Sequence, residues 1–178
     1  MNAVTATAIA SALTDSAARV RLLVLDVDGV LTDGRLYYGA RGEALKVFHV
    51  RDGLGLKLLA AAGVTVAVIS GRRSSMTGRR CRELGVKHLV QGVDDKLAAF
   101  RRLRARLAIA ASACACVGDD LPDVPLMREA GLSFAVADAH PQARRAARVV
   151  TELPGGGGAV REICDFLLEA RRRAGAAT

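Results

Sequence analysis

"LLVLDVDGVLTDG", residues 22–34, decides how the chain is read. Leu22 to Leu25 form an unbroken aliphatic run, the pattern of a strand buried on both faces, as in a parallel sheet covered by helices. The run ends in Asp26 and Asp28, and Asp33 comes within a further turn. Residues two apart on extended backbone point to the same side, so Asp26 and Asp28 are delivered together. Carboxylates gathered at the end of a buried strand need a cation or a set of donors.

Short apolar runs alternate with longer amphipathic ones on either side of this stretch. Residues 21–26, 64–70, 87–90, 114–119, 132–136 and 147–150 read as strands. Residues 53–62, 74–84, 95–108, 122–130, 140–146 and 158–173 carry helical spacing. Repeated strand then helix predicts an α/β fold, a Rossmann-like parallel sheet with helices on both faces. Residues 35–48, "RLYYGARGEALKVF", break the rhythm with two short runs around "GARGE", which predicts a projecting β-hairpin. No insertion is long enough to form a cap domain over the strand ends. With 178 residues, the expectation is an N-terminal lead-in over 1–20 and a single domain over 21–178, of which 151–178 is the C-terminal tail and helix.

Composition narrows the function classes. A formal net charge of +8 would suit a nucleic-acid partner, but the arginines concentrate in "RRLRAR" (101–106) and "RRR" (171–173), at helical spacing. Aromatic residues, needed for base stacking, make up only 3% of the chain, so solvated helix faces are expected and no nucleic acid. Cys81, Cys114, Cys116 and Cys164 form no CxxC pair and are expected as reduced core thiols rather than zinc ligands. The first twenty residues fit neither a signal peptide nor a membrane span, so the expected location is the cytoplasm, with no membrane partner.

In open parallel sheets, ligands lie beyond the carboxyl ends of the strands. The polar residues expected there are Asp26 and Asp28, then Ser70 and Arg72, then Lys96, then Asp119, Asp120 and Asp123. Converging carboxylates and hard oxygen ligands suit Mg²⁺, with Asp26 and Asp119 as ligands and the Asp28 carbonyl as a third. With a phosphate ester as substrate, Asp26 is placed to attack phosphorus and Asp28 to move protons. Ser70 and Lys96 would then hold the phosphoryl oxygens. Singly, a serine after a strand or a lysine at a helix start is ordinary; in this order at successive strand ends, coincidence is the weaker explanation.

"DVDGVLTDG", "VISGR", "DDK" and "VGDDLPD" resemble, in order, the four motifs of the haloacid dehalogenase superfamily of Mg²⁺-dependent phosphotransferases. Within it, "VRDGLG" (50–55), "ISGRRS" (69–74), "RCRELGV" (80–86), "QGVDDKL" (91–97), "SFAVADAHP" (133–141) and "GGGGAVREICD" (155–165) resemble the capless 3-deoxy-D-manno-octulosonate 8-phosphate (KDO 8-phosphate) phosphatases, over residues 18–170. The resemblance implies Asp26 as nucleophile and metal ligand, Asp28 as acid/base and carbonyl ligand, Asp119 as metal ligand, and Asp123 orienting metal water or Lys96. It implies substrate contacts from Asp28, Lys96, a loop of His49, Val50, Arg51, Asp52 and Gly53, and the arginines Arg72 and Arg80. Where His49 stands, the family often has Asn; an imidazole still hydrogen-bonds a hydroxyl. It further implies a homotetramer with the hairpin in the subunit contact, and a place in lipopolysaccharide core biosynthesis. For Gly155–Gly158 two readings stand, a flexible segment reaching a neighbouring site and a plain loop before a helix.

Three alternatives compete. A phosphatase for another sialic-acid-like sugar phosphate, or the phosphatase-like domain of a cytidylyltransferase, would share the motifs. A phosphoacceptor receiver domain shares the acids, hydroxyl and lysine, but has its acceptor on a middle strand, whereas here Asp28 equips the first strand for turnover. A basic nucleic-acid-binding module is the third class. Outside the site, Asp33 is expected to shape the turn with Gly34, and His88 and His140 to be structural.

Overall fold

The structure, a computed structural model, describes residues 12–176. Most of the expected lead-in, residues 1–11, lies outside the described residues; residues 12–18 form a helix (α1) that buries Ala17. Six parallel strands form the main sheet: β1 (Leu22–Leu25), β4 (Thr65–Ser70), β5 (His88–Gln91), β6 (Cys114–Gly118), β7 (Leu132–Ala135) and β8 (Val149–Val150), in the order β5-β4-β1-β6-β7-β8. The remaining pair, β2 (Tyr37–Gly39) and β3 (Gly42–Leu45), is the antiparallel hairpin expected between 35 and 48.

Alternation along β1 splits the core in two. Leu23 and Leu25 join a cluster with Leu56 and Leu59 of α2 (Val50–Ala61) and Ile163 and Leu167 of α7 (Ala159–Ala176). Leu22 and Val24 face the other way, onto Phe100 and Leu103 of α4 (Lys96–Arg106). β1 is therefore apolar on both faces, as its continuous aliphatic run requires. α3 (Ser75–Leu84), α5 (Val124–Glu129) and α6 (Pro141–Ala146) complete the layers. All four cysteines are free and buried in these clusters, so the expectation of reduced core thiols is met.

One boundary differs from expectation in a way that matters for the site. α2 begins at Val50, not at residue 53, so "VRDG" is the first turn of a helix and not a loop. His49 caps it, its ring Nδ1 accepting from the Arg51 amide at 3.2 Å. The glycines that make this stretch look like a loop are close-approach points. A Cβ on Gly55 would meet Arg161 and Cys164 of α7 at 3.0–3.3 Å, and one on Gly53 would meet the Leu84 side chain at 2.9 Å. Tertiary packing thus overrides a poor helix propensity.

From β1 the chain fills the sheet towards β4 and β5, then crosses back to β6, β7 and β8. The strand order reverses at the β1/β6 boundary, which opens a crevice beyond the carboxyl ends of those two strands. Asp26 and Asp119 come directly after them in the chain.

Candidate active site

The loop after β1 is wound tightly: the amides of Val30, Leu31 and Thr32 all donate to the Val27 carbonyl. Gly29, at φ +89°, makes that winding possible, and its missing side chain leaves room for the Asp119 carboxylate, whose Cγ lies 2.5 Å from where a Cβ would sit. Asp26, Asp28, Ser70, Arg72, Lys96, Asp119 and Asp120 line one cleft of about 330 Å³. Four separate strand ends thereby converge on a single cleft.

Lys96 opens α4 with its ammonium almost fully buried, 2.8 Å from Asp26 Oδ2 and 2.8 Å from Asp123 Oδ1. Burial alone would lower the Lys96 pKa, but those two carboxylates hold it above its ordinary value. The second Asp123 oxygen accepts from the Asp119 and Asp120 amides at 3.1 and 3.3 Å, closing the turn after β6. Asp123 is thereby fully engaged: it orients Lys96 and the turn that carries Asp119.

Asp26, Asp119 and Asp123 place carboxylate oxygens within 4.8 Å of one another. Burial and then the neighbouring Asp123 push Asp26 up to about 6. Burial, Asp123 and Asp26 push Asp119 up to about 8. With all three ionised, these carboxylates against the Lys96 ammonium would leave two uncompensated negative charges, which one divalent cation would balance. Asp26 Oδ1 is buried without a hydrogen-bond partner. A buried carboxylate oxygen left bare in a shell of hard donors fits a metal ligand, and the residues present fit Mg²⁺.

Ser70 is buried at the end of β4, its hydroxyl accepting from the Arg72 amide at 3.3 Å. Asp33 stays outside the cleft, its carboxylate accepting from the Arg35 amide at 3.1 Å, which is the turn role expected for it. His140 caps α6 through its ring nitrogen and gives its amide to the Asp119 carbonyl at 2.7 Å, a structural role. The residues expected to contact the sugar divide. Arg72 lines the cleft, its Nε 3.6 Å from Asp28 Oδ2. His49, Asp52, Gly53 and Arg80 instead surround a second, smaller cavity between α2 and α3. Within one chain, His49 to Gly53 and Arg80 are not part of the acid-lined cleft.

Asp52 is buried, and its Oδ1 accepts the Arg161 amide at 2.8 Å, which ties α2 to the start of α7, while its Oδ2 is buried without a hydrogen-bond partner. The Gly156 amide donates to the Val30 carbonyl at 3.0 Å, and the Gly155 amide to Asp138 at 2.9 Å. Within one chain, "PGGGG" is packed on the loop after β1, as a loop before a helix would be.

Two residues of the site are not apparent from the sequence. Lys46, just past β3, has a buried ammonium paired with Asp28 Oδ1 and 3.3 Å from Glu43. Glu43 in turn accepts from the Ser74 hydroxyl at 2.6 Å and sits 3.5 Å from Arg72. The only signal in the sequence is a lysine set among Leu45, Val47 and Phe48, where a solvated side chain is the default.

Comparison with known proteins agrees with this geometry. The haloacid dehalogenase-like hydrolase family profile matches residues 88–163. The chain is 52% identical over 155 residues to 3-deoxy-D-manno-octulosonate 8-phosphate phosphatase KdsC of Escherichia coli K12, covering 87% of this chain and 82% of that protein. It is 47% identical over 170 residues to the Yersinia pestis KdsC, covering 96% and 91%. Among solved structures, the phosphatase of Moraxella catarrhalis in complex with magnesium, phosphate and KDO is 43% identical, with a TM-score of 0.88 over 92% of this chain and 94% of that one. The cobalt-bound Haemophilus influenzae phosphatase is 43% identical, with a TM-score of 0.87 over 89% and 93%. The chain belongs to the KDO 8-phosphate phosphatase family of haloacid dehalogenase-like hydrolases.

Proposed function

We propose that this chain hydrolyses KDO 8-phosphate to KDO and inorganic phosphate with Mg²⁺ as cofactor, in lipopolysaccharide core synthesis. The observation that carries the reading is the divided Asp26 carboxylate: Oδ1 is buried and unpartnered, while Oδ2 is fixed 2.8 Å from Lys96. One oxygen is left for a metal and the other is aimed for attack. The relative from Moraxella catarrhalis holds magnesium, phosphate and KDO together, which supports both cofactor and substrate.

Asp26, Asp119 and the carbonyl of Asp28 would hold the Mg²⁺. When bound, it neutralises the excess carboxylate charge and polarises the phosphoryl group. Asp26 Oδ2 attacks phosphorus and the ester P–O bond breaks, leaving an aspartyl phosphate. Asp28 gives its proton to the departing sugar oxygen. Asp28 then takes a proton from the water that attacks the aspartyl phosphate, and Asp26 is released with inorganic phosphate. Lys96 and the Ser70 hydroxyl stabilise charge on the transferred oxygens, and Asp123 keeps Lys96 and the Asp119 turn in place. Arg72, at the mouth of the cleft, suits the carboxylate of a sugar acid.

Residues 21–178 act as one phosphatase domain, and the working form is a homotetramer in the cytoplasm. Among the described residues no helix is long and apolar enough to cross a membrane. Support for assembly comes from exposed apolar residues on the hairpin, Tyr38 and Leu45, and on α2, Val50, Leu54 and Leu58. In that assembly His49, Val50, Arg51, Asp52, Gly53 and Arg80 serve a site at the subunit boundary, which reconciles their place outside the chain's own cleft with a role in substrate binding.

The test is phosphate release from a panel of sugar phosphates with Mg²⁺ or EDTA. KDO 8-phosphate should be preferred and EDTA should abolish turnover. Preference for another phosphorylated sugar acid would overturn the substrate, and metal-independent turnover the mechanism. Asp26→Asn should be folded and inactive; substantial residual activity would name a different nucleophile. A monomer by light scattering would overturn the assembly.

A further inference from the structure

We infer that Lys46, carried by the hairpin, is a positioning residue for the acid/base carboxylate: it fixes Asp28 Oδ1 so that Asp28 Oδ2 is the oxygen that gives and takes the proton. The inference rests on the phosphatase reading above, in which Asp28 does the proton transfers.

A lysine side chain only 2% exposed is unusual at the base of a projecting hairpin, and burying an ammonium is costly unless it is paired. Lys46 is paired twice, with Asp28 Oδ1 and with Glu43 at 3.3 Å. Glu43 is itself anchored by the Ser74 hydroxyl at 2.6 Å and by Arg72 at 3.5 Å. Two cations and two anions thus join three segments: the loop after β1, the hairpin and the loop after β4.

The two Asp28 oxygens are in different positions within this group. Oδ1 is held by the buried ammonium. Oδ2 faces Arg72 Nε at 3.6 Å, on the side of the cleft, and the Arg72 side chain is 42% exposed and open to a ligand's anionic groups. In the protonated acid, the proton on Oδ2 passes to the sugar oxygen as the P–O bond breaks, while Oδ1 continues to accept from Lys46. In the second step Oδ2 receives the proton of the attacking water. The buried ammonium keeps the carboxyl from turning its protonated oxygen away from the cleft. In a fold without a cap domain, the hairpin thereby supplies a working part of its own chain's site.

A positioning role for the general acid predicts a dependence on leaving group. Lys46→Met, Lys46→Arg and Asp28→Asn are compared with the unmodified enzyme for kcat/KM on KDO 8-phosphate, phenyl phosphate and 4-nitrophenyl phosphate. 4-Nitrophenolate leaves without a proton, whereas a sugar alkoxide does not. Lys46→Met should lose about tenfold or more on KDO 8-phosphate, within the span of general acid catalysis, and less than about threefold on 4-nitrophenyl phosphate. Lys46→Arg, which keeps a cation, should recover part of the loss. Glu43→Gln, which leaves Lys46 in place, should show the same ordering in milder form and stands in if Lys46→Met does not fold. An equal loss on all three esters, or none, with Asp28→Asn still selective, overturns the inference alone. If Asp28→Asn itself shows no dependence on leaving group, the assignment of Asp28 fails instead.

Discussion

Gly29→Ala tests the arrangement of the acids proposed to hold Mg²⁺, because two separate costs can be read from the structure. Gly29 sits at φ +89°, where an L side chain is strained, at about 1–2 kcal/mol. The added methyl would also lie 2.5 Å from Asp119 Cγ, so the carboxylate must retreat by about 1 Å to reach ordinary contact. Metal–oxygen distances tolerate roughly 0.2 Å, so a displacement of that size removes Asp119 as a Mg²⁺ ligand. Losing one charge-assisted contact of about 1.5–3 kcal/mol weakens Mg²⁺ by roughly 10- to 100-fold. The assay is Mg²⁺ titration by calorimetry and by activity, with melting in EDTA to isolate the backbone cost, expected at about 2–8 °C. Gly63→Ala is the control: φ is +83°, but nothing lies within 4 Å of its Cβ, so it should lose stability and keep Mg²⁺ affinity. If Gly29→Ala binds Mg²⁺ within about threefold of the unmodified protein, the placement of Asp119 as a ligand is wrong.

Metal binding should depend on pH. Asp119 at about 8 and Asp26 at about 6 keep protons in the metal-free fold that the unfolded chain has already released. Metal-free stability is therefore full below about pH 4 and falls as pH rises towards 8. Mg²⁺ displaces those protons, so its affinity should climb between pH 6 and 8 and level off above; a flat affinity in calorimetry over that range would refute the pairing of these acids. Gly155→Ala should lower both melting temperature and kcat, because its methyl would lie 2.6 Å from the Gly29 carbonyl carbon and overpacking costs about 1–3 kcal/mol. An unchanged kcat would show that the tail does not brace the catalytic loop.

Much of this architecture is legible in the sequence because its signals are local. The aliphatic runs of β1, β4 and β6 are apolar on both faces, and their hydrophobicity alone identifies a covered parallel sheet. Asp26, Ser70, Lys96 and Asp119 are legible for the same reason: each ends a strand or starts a helix, and parallel strands bring those ends together whatever the details of packing. The first turn of α2 is hidden in the sequence because Gly53 and Gly55 resemble loop residues until α7 and Leu84 are seen against them.

Asp52 and Lys46 mark where local reading stops. On the chain, Asp52 is one more acid near a motif; in the fold it receives the Arg161 amide from a helix 109 residues away. Lys46 looks like an ordinary surface lysine, yet a buried ammonium is decided by partners on other segments, Asp28 and Glu43. The sequence by itself determined the sheet, which strand ends carry polar residues and the chemical type of each, since strand ends and side-chain types are local properties. Only the tertiary structure decided how those acids share charge. Burial and the approach of distant segments fix which oxygen is paired and which is left bare, and neither is encoded in any one stretch of chain.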